Sequence, residues 1–315
     1  MSRLSVVIPV YNRATSVREA IDSTGAEGRS DVEVIVVDDG SVDGSAEAAE
    51  DALAGGAFTG QVIRQKNAGA GAARNTGVAH ASGEWLAFLD SDDAWFAETL
   101  QRVMDVLDSG PEAGLIFLLT QDHAPDARPD QPTEGKPQQD LHRNFLSAVA
   151  SDAAIRFASC NAVMSRELFD QLGGFPSEIR CSEDTDLFMR SGKDVPCLLL
   201  MGRPLVAHQL DGADSLSGNV RCVADGMQFL LRRAAAGVYG SPDDPLLRGM
   251  LARSAVYAAR LAFASGYPRL AYSITLGQAG LILRGGQARW LPRLLLTPLA
   301  SLIRPRSYRF RFSPS

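Results

Sequence analysis

Apolar residues in the first hundred positions gather into four short runs, "LSVVIPV", "VEVIVVDD", "QVIRQ" and "EWLAFLD", beginning near residues 4, 32, 61 and 84. The spacing is that of a βαβ repeat, and the intervening stretches "SVREAIDSTGA", "DGSAEAAEDALA" and "GAARNTGVAHA" suit helices. The first, second and fourth runs are continuously apolar instead of alternating, as strands buried on both faces must be. The pattern predicts an α/β fold, a mixed and mainly parallel sheet flanked by helices. Residues 121–140, rich in Pro and charge, read as a long mobile loop. A mixed segment follows over 141–210, and the chain from about residue 222 reads as a helical appendage.

Polar chemistry collects where the apolar runs stop. Tyr11 and Asn12 follow the first run, Asp38 and Asp39 the second, and Asp90, Ser91, Asp92 and Asp93 the fourth. Ligands of open α/β sheets bind beyond the carboxyl ends of the strands, so three such clusters predict one site. The last cluster is the oddest, because three carboxylates in four residues repel one another. Hard oxygen ligands without a neighbouring His or Cys suit Mg²⁺ or Mn²⁺. Two carboxylates one residue apart can meet one ion, or divide between an ion and a sugar hydroxyl. The alternative is a solvated acidic turn in which Asp92 or Asp93 caps a helix starting at Trp95.

Charge adds a division that the apolar pattern does not show. The net charge of -6 is the sum of two opposed parts, since no Asp or Glu follows Asp244 while the last 71 residues carry 11 Arg and no Lys. The four cysteines form no CxxC pair, which argues against a thiolate zinc site. The start of the chain lacks the cleavage pattern of a signal peptide, and no run of about 18 uninterrupted apolar residues is present to span a bilayer. A cytoplasmic chain is expected.

Together "SVVIPVYNR", "VEVIVVDDGSVDGS", "NAGAGAARNTGVAHASGEWLAFLDSDDAW" and "GGFPSEIRCSEDTDLFMR" resemble a family 2 glycosyltransferase, an inverting enzyme with the GT-A fold. The resemblance covers roughly residues 3 to 210, with four motifs in the family's order. It implies a catalytic domain over residues 1–215, its nucleotide-binding half about 1–95 and its acceptor half about 96–215. Residues 216–315 are left as a helical, Arg-rich C-terminal region.

Carried over position by position, the resemblance implies the following roles. Pro9, Val10 and Tyr11 lie against the nucleotide base, Asp39 accepts a hydrogen bond from a uracil ring nitrogen, and Arg74 faces the nucleotide pocket. Asp90, Ser91 and Asp92 form the D-x-D motif, with Asp92 the direct ligand of Mn²⁺ or Mg²⁺ and Asp90 nearer the ribose or a bound water. Asp93 assists at the metal. Glu183 and Asp184 match the family's acid pair, in which Asp184 is the base and Glu183 the second candidate. The alternative is that Glu183, Asp184 and Asp186 only favour a helix N-terminus. His208 contacts the metal or the diphosphate, or is an ordinary loop histidine; the Arg that precedes it in an R-x-H segment of the family is replaced by Val206-Ala207. His80, His123 and His142 have no paired spacing and read as surface or structural residues.

The partners implied are a nucleotide-sugar donor and a glycan or lipid-linked acceptor in bacterial polysaccharide or glycolipid assembly, with no nucleic acid. A UDP-sugar is favoured by Asp39, GDP and dTDP being the alternatives. The stretch Gly69-x-Gly71-x-x-Arg74 imitates a dinucleotide fingerprint but lacks its third glycine, and Arg74 would crowd the helix–strand packing that the glycine permits. Two other classes stay open: a nucleotidyltransferase, which needs a basic glycine-rich loop where this chain has "PVYNRATS", and a catalytically silent scaffold. In the tail, Leu291, Leu295, Leu299 and Leu302 form one helical stripe among Arg293, Arg304, Arg306, Arg309 and Arg311, with Pro298 to bend it. Residues 288–315 are too short to span but could lie on an anionic membrane at its inner face. Packing on the acidic part of the chain, or a dimer contact, is the alternative.

Overall fold

The computed structural model describes residues 2–56, 58–124, 129–133, 135–151, 155–210, 218–292 and 294–295. The chain divides into two compact units, residues 1–148 with 155–211, and residues 149–154 with 212–315.

The first unit opens with β1 (Leu4–Val10), α1 (Val17–Ser23), β2 (Val32–Asp38), α2 (Ser45–Gly55), β3 (Gly60–Arg64), α3 (Ala70–His80) and β4 (Trp85–Phe88). These are the four strands and three helices that the apolar runs predict. It continues through β5 (Ala94–Trp95), α4 (Thr99–Asp108), β6 (Leu115–Leu118), β7 (Thr120–His123), β8 (Gln138–His142) and the start of α5 (Phe145–Ser151). After the break come β9 (Ala162–Ser165), α6 (Arg166–Leu172), α7 (Glu183–Arg190), β10 (Cys197–Met201) and β11 (Val206–Gln209).

Eight strands form the main sheet in the order β3-β2-β1-β4-β9-β6-β10-β8. β1 pairs in parallel with β2 and β4, and β2 with β3. β9 runs antiparallel to both β4 and β6. Every residue of β1 and β2 is buried, which explains why these runs carry no polar alternation. α3 lies close against β1 because of Gly77, where a Cβ would stand 2.4 Å from Cγ1 of Val7. At the amino end of the sheet, Glu33 Oε1 accepts bonds from Ser5 Oγ (2.6 Å), Ser82 N (2.6 Å) and Gly83 N (3.1 Å), pinning β2, β1 and the approach to β4.

A smaller sheet, β5-β11-β7, joins distant segments. β11 runs antiparallel to β5 and parallel to β7. Two expectations change here. The Pro-rich stretch 121–140 is not wholly loop, since β7 enters it and β8 leaves it, β8 pairing antiparallel with β10. No helix starts at Trp95: Ala94 and Trp95 are strand, and α4 begins at Thr99.

The second unit is helical, with α8 (Val220–Ala235), α9 (Pro245–Ala264), α10 (Pro268–Gly277) and α11 (Ala279–Arg284). Val223, Met227, Ala255, Ala259, Ile274 and Ile282 belong to its core. Among the described residues no helix is long and apolar enough to cross a membrane. Leu299, Leu302, Arg293, Arg304, Arg306, Arg309 and Arg311 lie outside the described residues.

Candidate active site

The parallel strands β2, β1 and β4 are neighbours, so the polar clusters at their carboxyl ends meet at one edge. At the end of β1, Pro9 and Val10 are buried strand residues, and the Val10 carbonyl accepts the Asp39 amide at 2.8 Å. Of the three residues expected against a nucleotide base, only Tyr11 has its side chain in the open, 49% exposed. The chain then turns through Asn12 at φ 51°. Asn12 N donates to Ser41 Oγ (2.9 Å), Asn12 Oδ1 accepts from Val42 N (3.0 Å), and Arg13 N donates to Ser45 Oγ (2.7 Å). The loops after β1 and β2 are thereby laced together.

Asp39 organises the next loop. Its Oδ1 accepts from Gln65 Nε2 (2.7 Å) and Ala68 N (2.8 Å), and its Oδ2 accepts from Gly69 N (2.8 Å). A carboxylate has about four lone-pair sites, so one on Oδ2 stays open. Gly69 stands at φ 96°, a backbone that side-chain-bearing residues rarely adopt, and there it starts α3.

Arg74, in the second turn of α3, is only 3% exposed. Its Nη2 donates to Asp90 Oδ1 at 2.6 Å and its Nη1 to Glu183 Oε1 at 2.9 Å, while its guanidinium lies 5.5 Å from the centre of the Phe175 ring. Burial alone would lower its pKa, but the two carboxylates raise it, so it stays charged. Arg74 therefore does not crowd the strand: close approach falls to Gly77, one turn on, and Arg74 points to the acids.

Asp90 and Asp92 each expose 32% of their side chains, whereas Ser91 is 6% exposed and buried in the turn. Asp92 Oδ2 is 3.5 Å from Arg13 Nε. Burial, then the charges of Asp90 and Asp93, push Asp92 up to about 6. The part of that shift due to Asp90 and Asp93 is repulsion which Arg13 does not balance, and a hard divalent cation on these oxygens would relieve it.

Asp93 departs from its expected place at the metal. Its carboxylate is turned from Asp92 to His208, whose Nδ1 is 3.1 Å and 3.0 Å from the two oxygens, and Oδ1 also accepts from Gln209 N at 2.8 Å. Burial favours neutral His208, but the bond to Asp93 raises its pKa above the ordinary value. Donor atoms of Asp93, Cys160 and His208 lie within 4.8 Å of one another. This trio is a poor metal site by itself, because burial keeps the Cys160 thiol well above its usual range and protonated.

The second acid pair opens α7. Glu183 is buried against Arg74, while Asp184 is half-buried and accepts from Thr185 N (2.6 Å) and Ser159 N (3.3 Å). Burial raises both carboxyls; the Asp184 charge adds to the rise at Glu183, and the Arg74 charge opposes it at both. Asp186, fully buried, pairs with Arg190 Nε at 2.7 Å within the helix. The structure adds Arg13, Gln65, Cys160 and Phe175 to the site. Arg13 was visible in "PVYNR", next to the turn, and Phe175 in "GGFPSEIR"; Gln65 and Cys160 have no local signal.

A family model described as "Glycosyl transferase family 2" matches residues 5–173, more than half of the chain. An uncharacterized glycosyltransferase of Haemophilus influenzae is 28% identical over 194 residues, 59% of this chain and 61% of that one. An uncharacterized glycosyltransferase of Nostoc sp. is 38% identical over 117 residues, 37% of this chain and 36% of the relative. The chain thus spans less than two thirds of the length of these curated relatives. Among solved structures, S. aureus TarS 1–349 in complex with UDP-GlcNAc matches with a TM-score of 0.67 at 18% identity, covering 99% of this chain and 94% of that one. The mannosyltransferase PcManGT from Pyrobaculum calidifontis, in complex with GDP-Man and Mn²⁺, matches with a TM-score of 0.59 at 19% identity, covering 97% and 88%. At these identities the structural likeness speaks for the fold, which is GT-A, and the family match goes further: the chain belongs to glycosyl transferase family 2.

Proposed function

We propose that this chain is a metal-dependent, inverting glycosyltransferase that moves a sugar from a nucleotide-sugar donor, a UDP-sugar, to a hydroxyl of a glycan or lipid-linked acceptor in bacterial polysaccharide or glycolipid assembly. The observation that carries the reading is the Asp90–Arg74–Glu183 bridge. It ties the acid cluster after β4 to the acid pair opening α7 and, among the described residues, leaves Asp92 and Asp184 as the carboxylates of the two clusters that no buried side chain clamps.

Asp92, with Asp90 and His208, would hold Mn²⁺ or Mg²⁺. Such a cation, when bound, neutralises the charge that builds on a departing diphosphate. Tyr11 offers its exposed ring to the base, and the open lone pair on Asp39 Oδ2 suits the ring N–H of the uracil in a UDP-sugar. Asp184 takes the proton from the acceptor hydroxyl. Its raised pKa suits that work, because a carboxylate held above its ordinary range is the stronger base. Glu183, clamped by Arg74, is the second candidate and keeps the helix start in place. The ligands named for the two structural neighbours, UDP-GlcNAc in one and GDP-Man with Mn²⁺ in the other, agree with this donor class.

The acceptor side of the reading includes contact of residues 288–315 with an anionic membrane at its cytoplasmic face. Its support is electrostatic: 11 Arg and no acid follow Asp244. Within the described part, Arg260 stacks on Trp290 at 4.4 Å, and Leu295 is 38% exposed.

Asp92→Ala should abolish the Mn²⁺-dependent part of UDP affinity in calorimetric titrations; unchanged Mn²⁺-dependent affinity removes Asp92 from the ligands. Asp184→Asn should leave donor binding intact and lower kcat by about 10²–10⁴-fold, the usual weight of a general base. Full turnover in that variant disqualifies Asp184. The full chain should co-sediment with vesicles containing phosphatidylglycerol and lose this on deletion of residues 288–315. A full chain that stays in the supernatant contradicts the membrane contact.

A further inference from the structure

The cluster after β4 ends in a carboxylate that neither the donor nor the acceptor can reach. The Asp93 side chain is 1% exposed, against 32% for Asp92. Its oxygens are instead committed to residues on β11: His208 Nδ1 at 3.0 Å and Gln209 N at 2.8 Å. Register makes this meeting obligatory. β5 and β11 pair as Val206 opposite Trp95 and Ala207 opposite Ala94, so the next step along the ladder sets His208 against Asp93. The Asp93 amide also donates to the Asp90 carbonyl at 3.1 Å, which makes the turn bearing Asp90 and Asp92 one piece with the group that touches the histidine.

We propose that Asp93 is a positioning residue that keeps the proton of His208 on Nδ1 and so presents an unprotonated Nε2 to the cation held by Asp92. The inference rests on the reading of His208 as a cation ligand and adds what makes it one. A neutral imidazole has one donor and one acceptor nitrogen, and only the acceptor can bind a metal. A carboxylate can only accept, so a buried one against Nδ1 selects the tautomer with Nε2 free. Among the described residues Nδ1 carries the hydrogen bonds of the ring, including the Cys160 sulfur at 3.8 Å, and no protein group bonds Nε2. The His208 side chain is 16% exposed, so it is not sealed from a ligand. A purely structural role, pinning β5 to β11, would need no particular tautomer, and that difference can be measured.

Asp93→Asn separates the two roles. With its oxygen on the Gln209 N–H, the introduced amide sets its NH₂ where Oδ2 stood, 3.0 Å from Nδ1, and a donor there disfavours a proton on Nδ1. Mn²⁺ affinity, titrated in the presence of UDP, should fall about 10–100-fold, the usual cost of losing such an outer partner. It should fall no further in D93N/H208A than in H208A alone, because the carboxylate acts only through the ring. Losses that add in the double variant, or D93N with wild-type Mn²⁺ affinity beside a weakened H208A, overturn the proposal. Wild-type affinity in H208A removes the histidine from the ligands and overturns it too, leaving the wider donor reading intact; a wild-type chain indifferent to Mn²⁺ sinks that wider reading. Should D93N fail to fold, ¹⁵N histidine spectra of the wild type with Mg²⁺ and UDP decide. A proton on Nδ1 and none on Nε2 is expected for His208, and a proton on Nε2 contradicts the proposal.

Discussion

The site depends on one buried guanidinium. Asp90 and Glu183 stand 93 residues apart in the chain, and Glu183 carries its negative charge into a region that burial makes hostile to it. Arg74 reaches both at once, at 2.6 and 2.9 Å, from the second turn of α3. A lysine ammonium would be a point charge; the flat, forked guanidinium can bond two carboxylates in different directions and still lie on the Phe175 ring. Removing one member of a buried pair costs about 3–5 kcal/mol, because the partner's charge is left in place without its cation. The surroundings make room for this arrangement. At Gly71 a Cβ would stand 3.0 Å from Glu183 Cγ, so a larger residue there would push the acid from the guanidinium.

With that bridge in place, the acids around it have distinct roles. Asp39 bonds the backbone that starts α3, Asp93 faces His208, Asp186 pairs with Arg190, and Asp90 and Glu183 share Arg74. Among the described residues, the cationic partner of Asp92 is Arg13, at 3.5 Å, and Asp184 bonds backbone amides and a hydroxyl. These two are the groups left free to meet a cation and a proton. The cluster "DSDD" sends its three carboxylates to three different partners, Arg74, Arg13 and His208, which disperses their repulsion but leaves it unbalanced at Asp92.

Much of this was legible in the chain, for local reasons. The first, second and fourth strands are continuous apolar runs, and the polar residues that follow them are neighbours in sequence as well as in space. What was not legible depended on pairing across long separations. β7 and β8 have largely exposed or half-exposed side chains and are held by backbone bonds, so the Pro-rich stretch that contains them has no strand pattern to read. The destination of Asp93 is set by a two-residue strand pairing with β11 more than a hundred residues on, and sequence proximity to Asp92 pointed the other way. Pro9 and Val10 were placed against a ligand by their motif, yet the sheet interior claims them and leaves Tyr11 to the surface. Arg74 was placed at the right edge of the sheet, but only the fold reveals that both its partners are acids of the site.

The central claim is that these acids, held apart by Arg74, bind a nucleoside diphosphate through a divalent cation. Calorimetric titration of the full chain with UDP, GDP and dTDP, each with and without Mn²⁺, tests it most directly. UDP is expected to bind in preference to the others, with an affinity that requires Mn²⁺. Binding that is indifferent to Mn²⁺, or absent for all three nucleotides, would contradict it.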